Sequence, residues 1–553
     1  MSKFTGAVLG ALALVALTAC EKNLVVQDLN QPDQARALAS ATDVENLVVS
    51  QFRNIHNTTD GTSVGLEFQL ECNGMENASS LGNAESGKYC GLPRVPVDNT
   101  RANPSDGVKL APYDNLYSAA RAVALGLNAM YDPKFTFIPA DPTEVNRDRA
   151  FGYFELAVAL GDVALVYDSG AVVTPGDNLQ GAYAPLVASD SLMTVALQFL
   201  DSAVAYSGQP WGGNTVNANW YAGTNAPSTL ALNGAGMIQL ARSYKARFRA
   251  NVARDPAARA AVNWASVIAD AQAGVTADFN VYMTQGSPGW SYRPAQMDLY
   301  SAWHQMWQFM LGMADTSGTY AQYLANPSLF SPFLVATPDR RFPAGTTRAA
   351  QNTSSGCFTG VHCIQPVATA PYPYFRNRLV ALDTPIDPRM FSMYDFYRFQ
   401  SFFDAVREGP IPMLTLAELN MLRAEGYIRT GNFAAAVALV NLTRTAAGLP
   451  AIVAADNTTP VPGGTACVPR VPAATGLTPV CGNLMEAMKW EKRLQIAYTS
   501  WGGWWYDGRG WGDLPAGTIE EYPVPYEELD TRVLPLYNNT RQSGASTYGV
   551  GLH

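Results

Sequence analysis

Residues 417–448 read AELNMLRAEGYIRTGNFAAAVALVNLTRTAAG. After Ala424, Tyr427 follows at three positions, Gly431 at seven, Phe433 at nine and Ala436 at twelve. Each residue type suits its place in a pair of closely packed helices. Ala424 and Ala436 are small enough to let two helices approach. Tyr427 and Phe433 fill the groove beside that approach. Gly431 permits the tight turn between the helices, since it lacks the Cβ that restricts other residues. The stretch therefore predicts a helical hairpin.

These are tetratricopeptide spacings, in which one hairpin buries its apolar face against the next. Arg423 departs from the pattern, occupying the place where a large apolar residue is expected. Other segments carry the same helical period. In NLYSAARAVALGLNAM (115–130), Leu116, Ala120, Val123 and Leu127 share a face. Residues 151–168 and 189–206 do likewise, with Ser189 or Asp190 as the expected N-cap of the latter. Residues 231–253 predict a longer helix or a helix pair. Asp255-Pro256 opens a further helix, stopped by Gly274. LMEAMKWEKRLQIAY (484–498) predicts an amphipathic helix with Leu484, Met488, Leu494 and Tyr498 near one face. By contrast, residues 275–410 are rich in Gly, Pro and aromatics with weak period, 451–483 read as a Pro/Gly/Thr loop, and little looks regular from 501 onward.

The chain has 553 residues, a charged fraction of 15% and a formal net charge of −9. It has 46 glycines and 36 prolines, so long ordered loops and an uncharged polar surface are expected. The acidic balance and the lack of a basic run argue against nucleic acid. There are four histidines and no HExxH, Walker loop, GxSxG or paired CxxC. Glycoside hydrolysis needs only two carboxylates, but candidates such as Glu520 and Glu521 read as solvated loop residues. The sequence is read as a non-enzyme without a cofactor.

The N-terminus supplies an address. Lys3 precedes the apolar run Ala7–Leu17, the length of a secretory signal and too short to span a bilayer. It ends in Leu17-Thr18-Ala19-Cys20, a bacterial lipobox, so Cys20 is expected to become the acylated first residue. Several acyl chains on one cysteine anchor stably. No later stretch is apolar enough to span a membrane. The other six cysteines fall in three local couples: Cys72/Cys90, Cys357/Cys363 and Cys467/Cys481. An even count in an exported chain predicts disulfides. Zinc at Cys357, His362 and Cys363 lacks an evident fourth ligand.

Aromatic stretches are the leading candidates for ligand contact. The C–H face of a pyranose lies on Trp or Tyr rings, while its hydroxyls meet polar side chains. In QGSPGWSYRP (285–294), Trp290 and Tyr292 sit in a turn context beside Arg293. In APYPYFRNR (370–378), Tyr372 and Tyr374 lie between prolines, a second candidate exposed platform. Tyr300, Trp303 and Trp307 have the spacing of a helix core stripe instead. WEKRLQIAYTSWGGWWYDGRGWGD (490–513) crowds Trp490, Trp501, Trp504, Trp505 and Trp511 among glycines that allow tight reversals. Packing against an apolar groove is favoured there over sugar stacking, and Asp507 and Arg509 are read as able to pair across the turn.

In order along the chain, these blocks resemble the SusD/RagB outer-membrane lipoproteins of nutrient uptake. LNQPDQARALASATDVENLVVSQFRN (29–54) is like the family's opening helix, and 417–448 is like its late tetratricopeptide unit. In the tryptophan block Glu491, Arg493, Trp505, Asp507, Arg509 and Gly512 fall at matching places, and YPVPYEELDTR (522–532) resembles the family's close. The three cysteine couples depart from common members. The resemblance implies a mainly α fold: a tetratricopeptide-like α-α superhelix with a large loop-rich, ligand-facing half. It implies a signal peptide at 1–19 and a single body at 20–553. The helical scaffold would span about 29–274, 412–450 and 484–500, and the loop-rich part about 275–411, 451–483 and 501–553. It further implies capture of an oligosaccharide or other nutrient for a SusC-like TonB-dependent transporter, at the outer membrane and facing outward. A tetratricopeptide scaffold that recruits another envelope protein is the alternative.

Overall fold

The computed structural model describes residues 37–59, 66–79, 90–103, 107–134, 143–177, 183–221, 231–283, 304–325, 332–354, 374–377, 391–396, 398–399, 409–473, 478–538 and 541–548. In chain order the helical scaffold begins with α1 (Ala41–Val49), α2 (Gln51–Thr59) and α3 (Leu66–Asn73), followed by β1 (Asn77–Ser79). The long helices α4 (Gly107–Ala129) and α5 (Val145–Val166) come next, then β2 (Ser169–Ala171), β3 (Leu186–Ala188) and α6 (Ser189–Ser207). After α7 (Gly234–Asn251), α8 (Pro256–Ala261) and α9 (Trp264–Gln272), the chain enters β4 (Phe279–Met283) and β5 (His304–Met306). Short helices α10 (Gln308–Gly312), α11 (Thr319–Ala325) and α12 (Arg348–Ser354) precede β6 (Phe375–Asn377), β7 (Tyr394–Phe396) and β8 (Gly409–Leu414). The quoted hairpin is α13 (Leu416–Arg429) and α14 (Phe433–Ala446). The chain closes through β9 (Arg470–Pro472), β10 (Pro479–Cys481), α15 (Leu484–Ile496), α16 (Gly503–Trp511) and α17 (Tyr526–Thr531).

The fold is mainly α, a tetratricopeptide-like superhelix with a large loop-rich half. The helices pack in succession: α4 on α5, α5 on α6, α6 on α7, α7 on α9, α9 on α13, and α13 on both α14 and α15. Such stacking is how hairpin repeats build one continuous apolar interior. The strands among the described residues form five two-stranded antiparallel ribbons: β1–β5, β2–β3, β4–β8, β6–β7 and β9–β10.

The hairpin shows how the sequence specifies this. Thr415 caps α13 by accepting from Glu418 N at 3.0 Å, and Asn432 caps α14 by accepting from Ala435 N at 3.4 Å. Each supplies an acceptor that the first turn of a helix lacks. Gly431 between them has φ +80°, a left-handed conformation costly to any residue with a Cβ. Ala424 and Ala436 are fully buried, with Tyr427 and Phe433 packed at the edge of the same cluster. A second close approach lies between α5 and α7. A Cβ on Gly161 would stand 2.2 Å from the Phe248 ring, so only glycine lets those helices meet there.

Among the described residues four apolar clusters result, the smallest of them Phe68 with the Cys72 and Cys90 pair. The largest joins α1, α2, α4, α5, α6, α7 and α9 to Trp501, Trp505 and Tyr506. The second is aromatic and lies in the loop-rich half, with Trp307, Phe309, Tyr320, Phe342, Phe375, Tyr394, Trp490 and Trp504. The third packs the α13–α14 hairpin on α15. No helix among the described residues is long and apolar enough to cross a membrane.

Several local expectations are corrected. α4 starts before residue 115 and carries Pro112 inside it. Proline inside a helix removes one bond, but here burial of the flanking apolar face outweighs that loss. α6 has Ala188 at its cap position and no side-chain cap, so neither Ser189 nor Asp190 caps it. The helix expected from Pro256 to Gly274 is two helices, broken at Val262 (ψ 139°) and restarted by Asn263, which accepts from Ser266 N. Of the expected stripe, Tyr300 and Trp303 lie outside the described residues, and Trp307 is buried but not helical. His304–Met306 pairs with β1, and Trp307 precedes α10 with its indole N–H donated to Asn77 O at 2.6 Å. The region after 501 contains α16 and α17.

Candidate functional site

The tryptophan block forms the joint between the two halves. All five rings are buried: Trp490, Trp501, Trp504, Trp505 and Trp511 are between 0% and 6% exposed. They are packing groups, as the sequence reading favoured. Their indole N–H groups reach acceptors in four cases: Trp490 to Asp339 Oδ2 (3.2 Å), Trp504 to Arg493 O (2.9 Å), Trp505 to Ile519 O (2.8 Å) and Trp511 to Glu425 Oε1 (3.1 Å).

Charges buried around these rings bind the block in both directions. Towards the hairpin scaffold, Arg259 holds Glu425 through two bonds of 3.0 and 2.6 Å and Asp507 through a third of 3.0 Å. Lys492 donates to Asp507 at 2.7 Å, and Arg429 to Glu425 at 2.9 Å. Burial alone would raise the Glu425 carboxyl, but Arg259, aided by Arg429 and Lys492, outweighs it and holds the group at about 2. Towards the loop-rich half, Arg341 pairs with Asp339 and, at 2.7 and 3.0 Å, with Glu491. Arg493 reaches Asp513 at 2.6 Å and Tyr548 OH at 3.0 Å. Gly512 ends α16 at φ +77°.

Asp507 and Arg509 do not pair, contrary to expectation. Two residues apart on α16, they point to different sides of the helix. Arg509 instead donates to three carbonyls, Glu520 O (2.6 Å), Leu165 O (2.9 Å) and Asn251 O (2.9 Å), which latches α16 to α5 and α7. Burial, reinforced by nearby Arg254, pushes its guanidinium well below the usual range. Glu520 and Glu521 are ion-paired rather than free loop residues. Glu520 is 7% exposed and pairs with Arg541 at 3.0 Å, and Glu521 pairs with Arg254 at 2.9 Å.

Of the candidate ligand residues, Trp290, Tyr292, Arg293 and Tyr372 lie outside the described residues, as do Cys20, Cys357, His362 and Cys363. Tyr374 is placed, and it is not an exposed platform. It is 7% exposed, its N–H bonds Arg341 O at 2.7 Å, its hydroxyl bonds Gln495 Oε1 at 3.3 Å, and Arg398 lies 4.7 Å from its ring centre. The described ends of the two candidate segments are firmly seated. Met283 closes β4 on β8, His304 opens β5 on β1, and Phe375–Asn377 pairs with β7 above the aromatic cluster. Cys72 is disulfide-bonded to Cys90, and Cys467 to Cys481. Among the described residues no group of three or more His, Cys, Asp or Glu is placed to hold a metal.

Stacked helical hairpins, a loop-rich half and a buried charged joint between them define a mainly helical, tetratricopeptide-like fold. Among solved structures, proteins of the SusD superfamily have a similar fold. A SusD superfamily protein from Parabacteroides distasonis superposes with a TM-score of 0.52 at 11% identity, covering 92% of this chain and 100% of that one. Another from Bacteroides vulgatus gives 0.50 at 10% identity, covering 89% and 90%. No protein-family model matches the sequence, and no curated protein matches it.

Proposed function

We propose that this chain is a non-enzymatic substrate-binding lipoprotein. It captures an oligosaccharide or another nutrient and delivers it to a SusC-like TonB-dependent outer-membrane transporter. The observation that carries the reading is the whole-length likeness to the SusD superfamily fold, which spans the helical back and the loop-rich front together. The lipobox at Cys20 supplies the anchor, with the body outside the cell surface. The helical half meets the transporter and the loop-rich half the ligand. Trp290, Tyr292 and Arg293 provide the stacking and hydrogen-bonding groups of the ligand site, with Tyr372 as a further ring.

The test is a glycan array followed by calorimetry on the mature chain, with Trp290→Ala and Tyr292→Ala. Loss of at least about tenfold in affinity in either variant, or roughly 1.4 kcal/mol, supports the assignment. Unchanged binding in both removes that segment from the site. Co-purification from membranes with and without Cys20→Ala tests the anchor and the transporter. A partner that is never a transporter, with no small-molecule binding, favours the protein-recruiting alternative.

A further inference from the structure

The turn between α15 and α16 holds the fifth indole of the block, and it is the exception to the rule above. Trp501 is 6% exposed and its Nε1 has no hydrogen-bond partner. Neighbouring Ser500, 7% exposed, likewise has none for Oγ. Both residues line one cavity of about 30 Å³ between the C-terminal turn and helices α2, α5 and α7. Its walls include Phe52 and Val158, and its polar residues include Asp162 and Arg247. Asp162 and Met413 are the half-buried members of the lining, which places the mouth on their side.

We propose that this cavity is a hydration site, in which one or two waters bridge Trp501 N–H and the Ser500 hydroxyl to the Asp162 carboxylate. Size sets the class of occupant. A water needs roughly 10–15 Å³ of cavity, so this one takes one or two and no sugar ring. Chemistry selects within that size. An apolar occupant would leave two buried donors unsatisfied. An anion would face Asp162, and a cation would face Arg247, whose charge is already matched by Glu418 at 2.6 Å. Water alone is neutral and can accept from the indole while donating to the carboxylate. Tyr498, just before the two donors, holds the left-handed φ of +56° that a side chain disfavours, while Gly502 after them adopts φ +67° freely. Solvent thereby adds a tie to α5 for a turn whose direct bonds run to Glu76 and to its own backbone.

A high-resolution crystal structure of the mature chain tests this directly, with urea unfolding of Ser500→Ala and Trp501→Phe alongside. The expected result is solvent density within hydrogen-bonding distance of Trp501 Nε1, with the folding equilibrium constant of Ser500→Ala lowered about fivefold for the lost bond. A dry cavity predicts the reverse, because Ser500→Ala then removes an orphaned hydroxyl and the variant is as stable as the parent or more so. Absent density, a larger bound molecule, or unchanged or raised stability in Ser500→Ala overturns the proposal. Should Trp501→Phe fail to fold, the crystal structure of the parent and Ser500→Ala still decide.

Discussion

Neutralising Glu425 should weaken the joint more than any surface change can. In Glu425→Gln the side chain keeps its shape but loses the charge that Arg259 grips at 3.0 and 2.6 Å, Arg429 at 2.9 Å and Trp511 at 3.1 Å. Two routes give the magnitude. Breaking one side of a buried ion pair costs about 3–5 kcal/mol, because the partner charge is left without compensation. The carboxyl at about 2, against an ordinary 4.5, corresponds to roughly 3 kcal/mol by linkage. Asp507 still holds Arg259 at 3.0 Å, which favours the lower figure, about 3 kcal/mol. Urea unfolding followed by tryptophan fluorescence reads this, since the block's rings lie around the site. The pH dependence has a fixed sign. A depressed folded value means that the stabilisation is complete above 4.5 and fades as pH falls towards 2. The gap between parent and variant should therefore be widest near pH 7 and narrow at pH 3. A loss below about 1 kcal/mol at pH 7, or a gap that does not change with pH, refutes the reasoning.

Asp148 provides the opposite sign. It shares Arg147 with Glu144 and Glu45, at 2.8, 2.7 and 2.6 Å, and burial raises it to about 7 despite Arg147. Its contribution is complete below 3.8 and is lost as pH rises through 7, so Asp148→Asn should stabilise the protein more at pH 8 than at pH 5 in thermal melts. The two glycines separate two costs. Gly431→Ala meets nothing within 4 Å and should lose only the backbone term, about 1–2 kcal/mol. Gly161→Ala strikes Phe248 at 2.2 Å and should lose about 1–3 kcal/mol by overpacking, part of which Phe248→Leu restores.

The parts legible in the sequence are those whose cause is local. The α13–α14 hairpin could be read because Ala424, Gly431 and Ala436 act through helix approach and turn geometry within a stretch of about thirty residues. α16 could not. Its sequence GWWYDGRGW holds three glycines after the cap, each costing a helix about 1 kcal/mol against alanine. It forms because Trp505 is fully buried and Arg509 finds three carbonyls on distant segments. Glu520 and Glu521 misled for the same reason, since their partners Arg541 and Arg254 are not sequence neighbours. Tyr374 shows what this means for ligand sites. Prolines beside an aromatic suggest a displayed ring, yet its exposure is decided by Arg341, Gln495 and Arg398, which the local sequence does not name. A ring type sets what chemistry a residue can offer, while long-range packing sets whether a ligand can reach it. The same reasoning makes Trp290 and Tyr292 the right first substitutions. They stand in a polar turn sequence without a helical period, whereas the tryptophans of 490–513 are committed to the joint and their loss would report on folding before binding.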